Sequence, residues 1–251
     1  MSELRKNTIL ARKIINHRNG LLLLTVLFII LAAVTVPQTS LTDWDEGVFA
    51  LQAQWFSSVG QQGKPYNFQT PPLFQLTAAV LSCSGVGHAH ALKWLSVLVS
   101  CMTVLAVFMI VRKLYSEAVA AYSTLMFMTC EYFLFFSRSG LSDATFVCFS
   151  TLAFLLFIKA IESGRLRDCV LASVFIILAL YTKYSGVALM PILFFLGLRN
   201  RNKLHRSWFA ITILLPVFCF LPFSLAYLWV VGISEMHGRH APLLGIHHLI
   251  L

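Results

Sequence analysis

ALKWLSVLVSCMTVLAVFMIVRK, residues 91–113, decides the class of this protein. From Ala91 to Val111 the run carries one charge, Lys93, before Arg112 and Lys113 close it. About twenty apolar residues of helix match the ~30 Å hydrocarbon core of a bilayer. A basic pair at the end of such a run belongs in the cytoplasm. The stretch reads as a membrane span that starts outside and finishes inside.

Working toward the amino terminus, Leu73 to Val86 is apolar but only about fourteen residues long, which favours an interfacial or re-entrant helix over a full crossing. A full crossing there would also put Arg112 and Lys113 on the wrong side. Gln38 to Gln69 is polar, with a helical piece from Glu46 to Val59 carrying Val48, Phe49, Ala53, Trp55 and Phe56 among glutamines, which suits a helix lying in the interface. Gly60, Gly63, Pro65, Pro71 and Pro72 supply the turns after it. Gly20 to Val36 is a first span, preceded by Arg5, Lys6, Arg12, Lys13 and Arg18, which set the amino terminus in the cytoplasm. No small-residue cleavage site precedes Pro37, so this span reads as a retained signal anchor.

Toward the carboxy terminus the runs alternate. Ala118 to Phe136 goes out and Ala144 to Ile158 returns; Cys169 to Thr182 goes out and Val187 to Leu198 returns; Trp208 to Val231 goes out to a tail at Gly232 to Leu251. The expectation is an all-α, polytopic transmembrane bundle of about seven spans, one domain over residues 1–251, with interfacial helices in the first outer loop. On this map fourteen of the nineteen Lys and Arg residues face the cytoplasm and six of the ten Asp and Glu face outward. The orientation rule asks for that asymmetry.

Composition agrees. The 251 residues are 58% hydrophobic and 12% charged, with a mean hydropathy of +0.79. The net charge of +9 comes in short clusters between apolar runs, with no RNA or DNA motif, so anionic lipid and orientation account for it rather than nucleic acid. Cys83, Cys101, Cys130, Cys148, Cys169 and Cys219 stand alone without metal-ligand spacing and read as packing residues. The 21 phenylalanines are what a lipid-facing bundle carries, and no internal repeat is visible.

Against that background LTDWDEGVFA, Leu41 to Ala50, is anomalous: Asp43, Asp45 and Glu46 fall within four positions just after the first span. The topology puts them outside together with Lys64, Arg138, Asp143, Lys183, Glu235 and Arg239. Taken singly, each is a charge that a solvated loop can carry. Together, carboxylates and cations at the hydrocarbon edge suit a reaction in which a base removes a proton while cations hold a phosphate leaving group.

DWDEGVFA, GKPYNFQTPPLF, RSGLSD and TKYSG, in that order, resemble the motifs of the polyprenyl-phosphate-dependent glycosyltransferases of the GT-C type. The likeness covers nearly the whole chain and is greatest to the bacterial branch of protein O-mannosyltransferase-like enzymes and the aminoarabinose transferase acting on lipid A. It implies an inner-membrane enzyme working on the outer face, taking a sugar from a polyprenyl-phosphate donor to a lipid, glycan or protein acceptor. Residue by residue, it implies Asp45 as the catalytic carboxylate, acting as general base directly or through a divalent metal ion. It matches Asp143 to the family's second acidic position, with Arg138 five residues before it, and Lys183 to a lysine near the lipid phosphate. Glu46 would support Asp45 or contact substrate.

One position departs from the pattern. Family members often carry an acid or amide and then lysine before the proline, where this chain has Gln69, Thr70 and Pro71. The phosphate-binding lysine is absent at Thr70 and a metal-ligating acid at Gln69, with Lys64 as the substitute cation from the same loop. Glu235, His237, His240, His247 and His248 offer imidazole and carboxylate groups, but in no zinc spacing. Relatives continue with further spans and a carboxy-terminal region, so residues 1–251 correspond to the N-terminal half of a longer architecture. Two other readings remain at this point: a non-catalytic subunit or truncated relative, and a transporter. The latter would need charges along a mid-membrane path, and only Glu131 and Lys93 lie within or near the spans.

Overall fold

The computed structural model describes residues 43–66 and 70–238, with isolated positions before them and the backbone alone over 230–238. Among the described residues every regular element is helical. Helix α1, Trp44–Ser57, starts at Asp43, whose extended backbone (φ −123°, ψ 148°) lets its Oδ1 accept the Asp45 N–H at 3.0 Å. Asp45 and Glu46 follow in the first turn, where the helix dipole favours carboxylates. The chain leaves α1 through Val59 (φ 52°) and Gly60 (φ 84°), and the left-handed Gly63 (φ 89°) carries it back onto α1. There the Lys64 N–H donates to the Leu51 carbonyl at 3.1 Å. A Cβ on Gly63 would lie 2.3 Å from that same carbonyl, so only glycine makes this return.

Helix α2, Leu73–Ser82, follows Pro71 and Pro72 and is ten residues long. With α1 at fourteen residues, neither is long enough to cross a bilayer, as an interfacial pair requires. Helix α3, His88–Leu114, contains the opening stretch and runs for 27 residues. Helices α4, Glu117–Met128, and α5, Glu131–Arg138, replace the single span expected over 118–136. They meet at a bend of 64°. The physical reason is Glu131, which would be a carboxylate in mid-span; the extended Cys130 (ψ 127°) ends one helix and makes Glu131 the exposed first residue of the next.

Helix α6, Ser142–Ser163, ends at Gly164, left-handed at φ 62°, and α7, Leu166–Thr182, packs back along it. A 3₁₀ turn, Tyr184–Ala188, leads into α8, Leu189–Arg199; a π turn, Ala210–Leu214, leads into α9, Leu215–Gly238, which contains Pro222. By length and composition three described stretches can cross a membrane: His88–Leu114, Ser142–Ser163 and Ala210–Trp229. The bent pair α4–α5 makes a fourth when counted as one span. Of the expected first span, Gly20 to Val36, only isolated positions are described, and α7 and α8 are apolar but shorter. The protein is a polytopic, all-helical integral membrane protein.

Two cores lie at opposite ends of α6. Near its start, Leu141, Ala144 and Cys148 pack with Phe49 and Ala53 of α1, Phe74 and Ala78 of α2, and Leu92 and Leu95 of α3. Near its finish, Phe157 and Ala160 pack with Ile176 and Leu180 of α7, Leu193 of α8, and Trp208 and Phe220. Charges segregate the same way. At the far end Lys113 pairs with Glu162, and the buried Asp168 accepts the Ser163 hydroxyl at 2.6 Å between Lys159 at 3.7 Å and Arg167 at 3.9 Å. We call this the basic end, and the end holding Asp45 and Asp143 the acidic end.

Candidate active site

At the acidic end the starts of α1 and α6, the finish of α7 and the turn before α2 enclose a cleft of about 260 Å³. Asp45, Thr70, Ser142, Asp143, Lys183 and Tyr184 line it, so all four motifs singled out in the sequence contribute a residue. Asp143 sits in the first turn of α6, again where a helix dipole favours a carboxylate. Lys183 is the residue at which α7 stops: its extended backbone (φ −154°, ψ 136°) breaks the helix, and its Nζ donates to Asp143 Oδ1 at 2.6 Å. Both side chains keep contact with solvent, 40% and 28% exposed, so the pair orients two charges rather than stabilising the fold appreciably. Asp45 is exposed, and among the described residues its carboxylate has no ion-pair partner. Its carboxylate is therefore free of a cation in the cleft.

Neutral groups fix the turn that carries Thr70. The Tyr66 hydroxyl donates to the Thr70 carbonyl. Burial, and then the neighbouring Tyr184, push the Tyr66 phenol well above the usual tyrosine range, which keeps it a donor. Gln75, wholly buried on α2, sets its amide 2.9 Å from Thr70 Oγ1, 3.1 Å from the Gln52 amide of α1 and 3.2 Å from the Pro71 carbonyl. Tyr184 in turn is walled by aromatic rings, with Tyr227 at 4.8 Å and Phe220 and Phe223 near 6 Å. The cleft thus has a rigid rim.

Of the residues expected at the site, the fold brings Asp45, Asp143 and Lys183 together. Glu46 does not line the cleft: it is wholly buried beneath it, and its Oε1 accepts the Gly140 N–H at 2.6 Å. Arg138 also stays outside, exposed, with its Nε donating to the Leu134 carbonyl of its own helix at 3.1 Å. Lys64 lies on the loop tied to Leu51 and is not among the lining residues either. Sequence reasoning passed over Gln52, Tyr66, Gln75 and Tyr184, and noted Thr70 only for the lysine it replaces. These residues are uncharged, so nothing in the composition marks them.

Among the described residues no three His, Cys, Asp or Glu side chains converge as metal ligands. Asp45 and Asp143 share a wall, but Lys183 already occupies Asp143, so this donor set does not fit a tightly held divalent ion. Glu235 and His237 fall in the last turns of α9, and His240, His247 and His248 lie outside the described residues.

Comparison with known proteins bears on the fold and the family. No curated protein matches the chain. The crystal structure of ArnT from Cupriavidus metallidurans in the apo state superposes with a TM-score of 0.62 at 18% sequence identity, over 88% of this chain and 43% of that one. The two share a fold, and this chain spans less than half the length of ArnT. The family model for dolichyl-phosphate-mannose-protein mannosyltransferases matches residues 69–226, more than half the chain, including Asp143 and Lys183 but not Asp45. The helical membrane architecture, the ordered motifs and this match together mean that the chain belongs to the dolichyl-phosphate-mannose-protein mannosyltransferase family, a family of membrane glycosyltransferases.

Proposed function

We propose that the chain carries the catalytic face of a glycosyltransferase that moves a sugar from a polyprenyl-phosphate donor to a hydroxyl on a lipid, glycan or protein, at the outer face of a bacterial inner membrane. The observation that carries this reading is the convergence of an unpaired carboxylate, Asp45, with the Lys183–Asp143 pair in one cleft. Asp45 accepts the proton of the acceptor hydroxyl as its oxygen attacks the anomeric carbon. The bond from that carbon to the phosphate oxygen breaks, and the phosphate leaves with the electron pair. Lys183 stabilises the departing charge, and Asp143 holds the ammonium in place. No step is assigned to a metal ion.

Orientation follows from charge. The basic end carries Arg112, Lys113, Lys159, Arg165, Arg167 and the Arg199 to Arg206 cluster, which the orientation rule assigns to the cytoplasm. The cleft is then outside, where lipid-linked sugars are used. Among the described residues lining the cleft Lys183 is the single cation, and Thr70 stands where, by the resemblance, family members often carry lysine. That departure favours a second reading, a non-catalytic relative acting as a subunit.

The deciding experiment is transfer of labelled sugar from polyprenyl-phosphate sugars to total membrane acceptors, by the parent chain and by Asp45→Asn. Removing a positioned general base lowers the rate by roughly 10²–10⁴-fold. A variant that transfers as fast as the parent removes Asp45 from the mechanism. A parent that transfers nothing makes the subunit reading the better one.

A further inference from the structure

Helix α1 places two adjacent acids in different worlds. Asp45 is exposed to the cleft, while Glu46, about 100° further round the helix, points into the core. Below Glu46 on the same inward face come Phe49, Gln52 and Ala53, all buried. Two of these four inward residues are polar, and each reaches a different loop of the cleft. Glu46 accepts the Gly140 N–H at 2.6 Å across 94 residues of sequence. Gln52 meets the Gln75 amide, which meets the Thr70 hydroxyl and the Pro71 carbonyl.

Burying such groups in an otherwise apolar core costs free energy unless each is bonded, and a bonded polar group tolerates little displacement. The seam therefore fixes register better than methyl groups would. Gly140 is three residues before Asp143 and packs tightly: a Cβ there would lie 3.1 Å from the Leu92 Cβ. With the Gly140 N–H held by Glu46, the start of α6 has one position relative to α1, and Asp143 has one position relative to Asp45.

We propose that Glu46 is a positioning residue: through Gly140 it sets the distance between Asp45 and the Asp143–Lys183 pair, and it does not contact substrate. This rests on the catalytic reading of the cleft above. The contribution lies in the reach of its oxygen and not in its charge, which separates it from a second base.

Two conservative variants test this. Glu46→Gln keeps an acceptor oxygen at the same reach and removes the carboxylate; Glu46→Asp keeps the carboxylate and shortens the side chain by about 1.5 Å, which breaks a 2.6 Å hydrogen bond. Hydrogen exchange of the peptide containing Gly140 to Asp143 reads position whether or not the chain transfers sugar. Glu46→Asp is expected to speed exchange there about tenfold, with Glu46→Gln within about threefold of the parent. In the transfer assay kcat falls about 10²-fold in Glu46→Asp with donor KM little changed, and Glu46→Gln stays close to the parent, as a misplacement near 1 Å predicts.

The reverse order, with Glu46→Gln the more damaged, overturns the proposal in favour of a charge role. Equal damage in both, or parental exchange in Glu46→Asp, overturns it as well. A parent without transfer activity counts against the proposed reaction, while the exchange result still decides whether Glu46 holds the loop.

Discussion

The two cores strung along α6 solve different problems. The one that starts at the finish of α6 and runs along α7 as far as Tyr184 is aromatic and aliphatic: Phe157, Ile176, Leu180, Leu193, Trp208 and Phe220 fill space, with the buried Asp168 at its basic end. The one at the acidic end buries Glu46, Gln52 and Gln75 among Phe49, Phe74 and Leu92. Apolar packing is tolerant of small sliding, because dispersion has little direction. Hydrogen bonds are not tolerant. The difference teaches that one core of this bundle holds helices together and the other aligns them, and the aligning core lies beneath the cleft where Asp45, Asp143 and Lys183 converge.

That contrast can be broken by substitution. The largest expected effect after Asp45→Asn is Lys183→Ala at the aligned end: on the proposed reaction the departing phosphate loses its cation and kcat falls roughly 10²–10³-fold, with the thermal midpoint nearly unchanged because the pair keeps contact with solvent. Sugar-transfer kinetics beside a melting curve in the same detergent check it. Next comes Gly197→Ala at the packed end, where a Cβ would meet the Trp208 ring at 2.3 Å. Overpacking of this kind costs about 1–3 kcal/mol, so thermal unfolding should shift downward while turnover per folded molecule stays parental. A loss of turnover there would show that the two cores are coupled. The smallest effect is Lys113→Ala, which removes an exposed ion pair with Glu162 and should move stability by less than about 1 kcal/mol and turnover not at all.

Much of this was legible before any coordinates. Apolar run lengths located α3, α6 and α7 within a few residues, and the short runs correctly separated α1 and α2 from the spans. The three charged residues of the cleft follow from motifs whose order the fold preserves. What the sequence withheld is direction. Asp45 and Glu46 are neighbours of the same chemistry, and only the packing of α1 on α2, α3 and the Gly140 loop tells that one is wet and the other buried. The glutamines of α1 read as marks of an interfacial helix, yet Gln52 is buried. Arg138 and Lys64 look like cleft cations by position, but a bond to the Leu134 carbonyl and the return of the loop onto Leu51 leave them off its wall. The break before Glu131 was signalled by a carboxylate inside an apolar run, a signal weaker than the run's length.

Helix α3 also sets a depth. At 1.5 Å per residue its 27 residues measure about 40 Å, some 10 Å more than a hydrocarbon core. Counted from the basic pair Arg112 and Lys113, about 30 Å of helix, some twenty residues, reaches the turn of Lys93, which is itself buried among the neighbouring helices. The turn above Lys93, with Leu92 against Gly140, then lies among the headgroups, and the loop leading into Asp143 lies beside it. On the function proposed above, the phosphate of a lipid-borne donor rests at that level. It would reach Lys183 by lateral diffusion in its own leaflet, with its tail never leaving the oil.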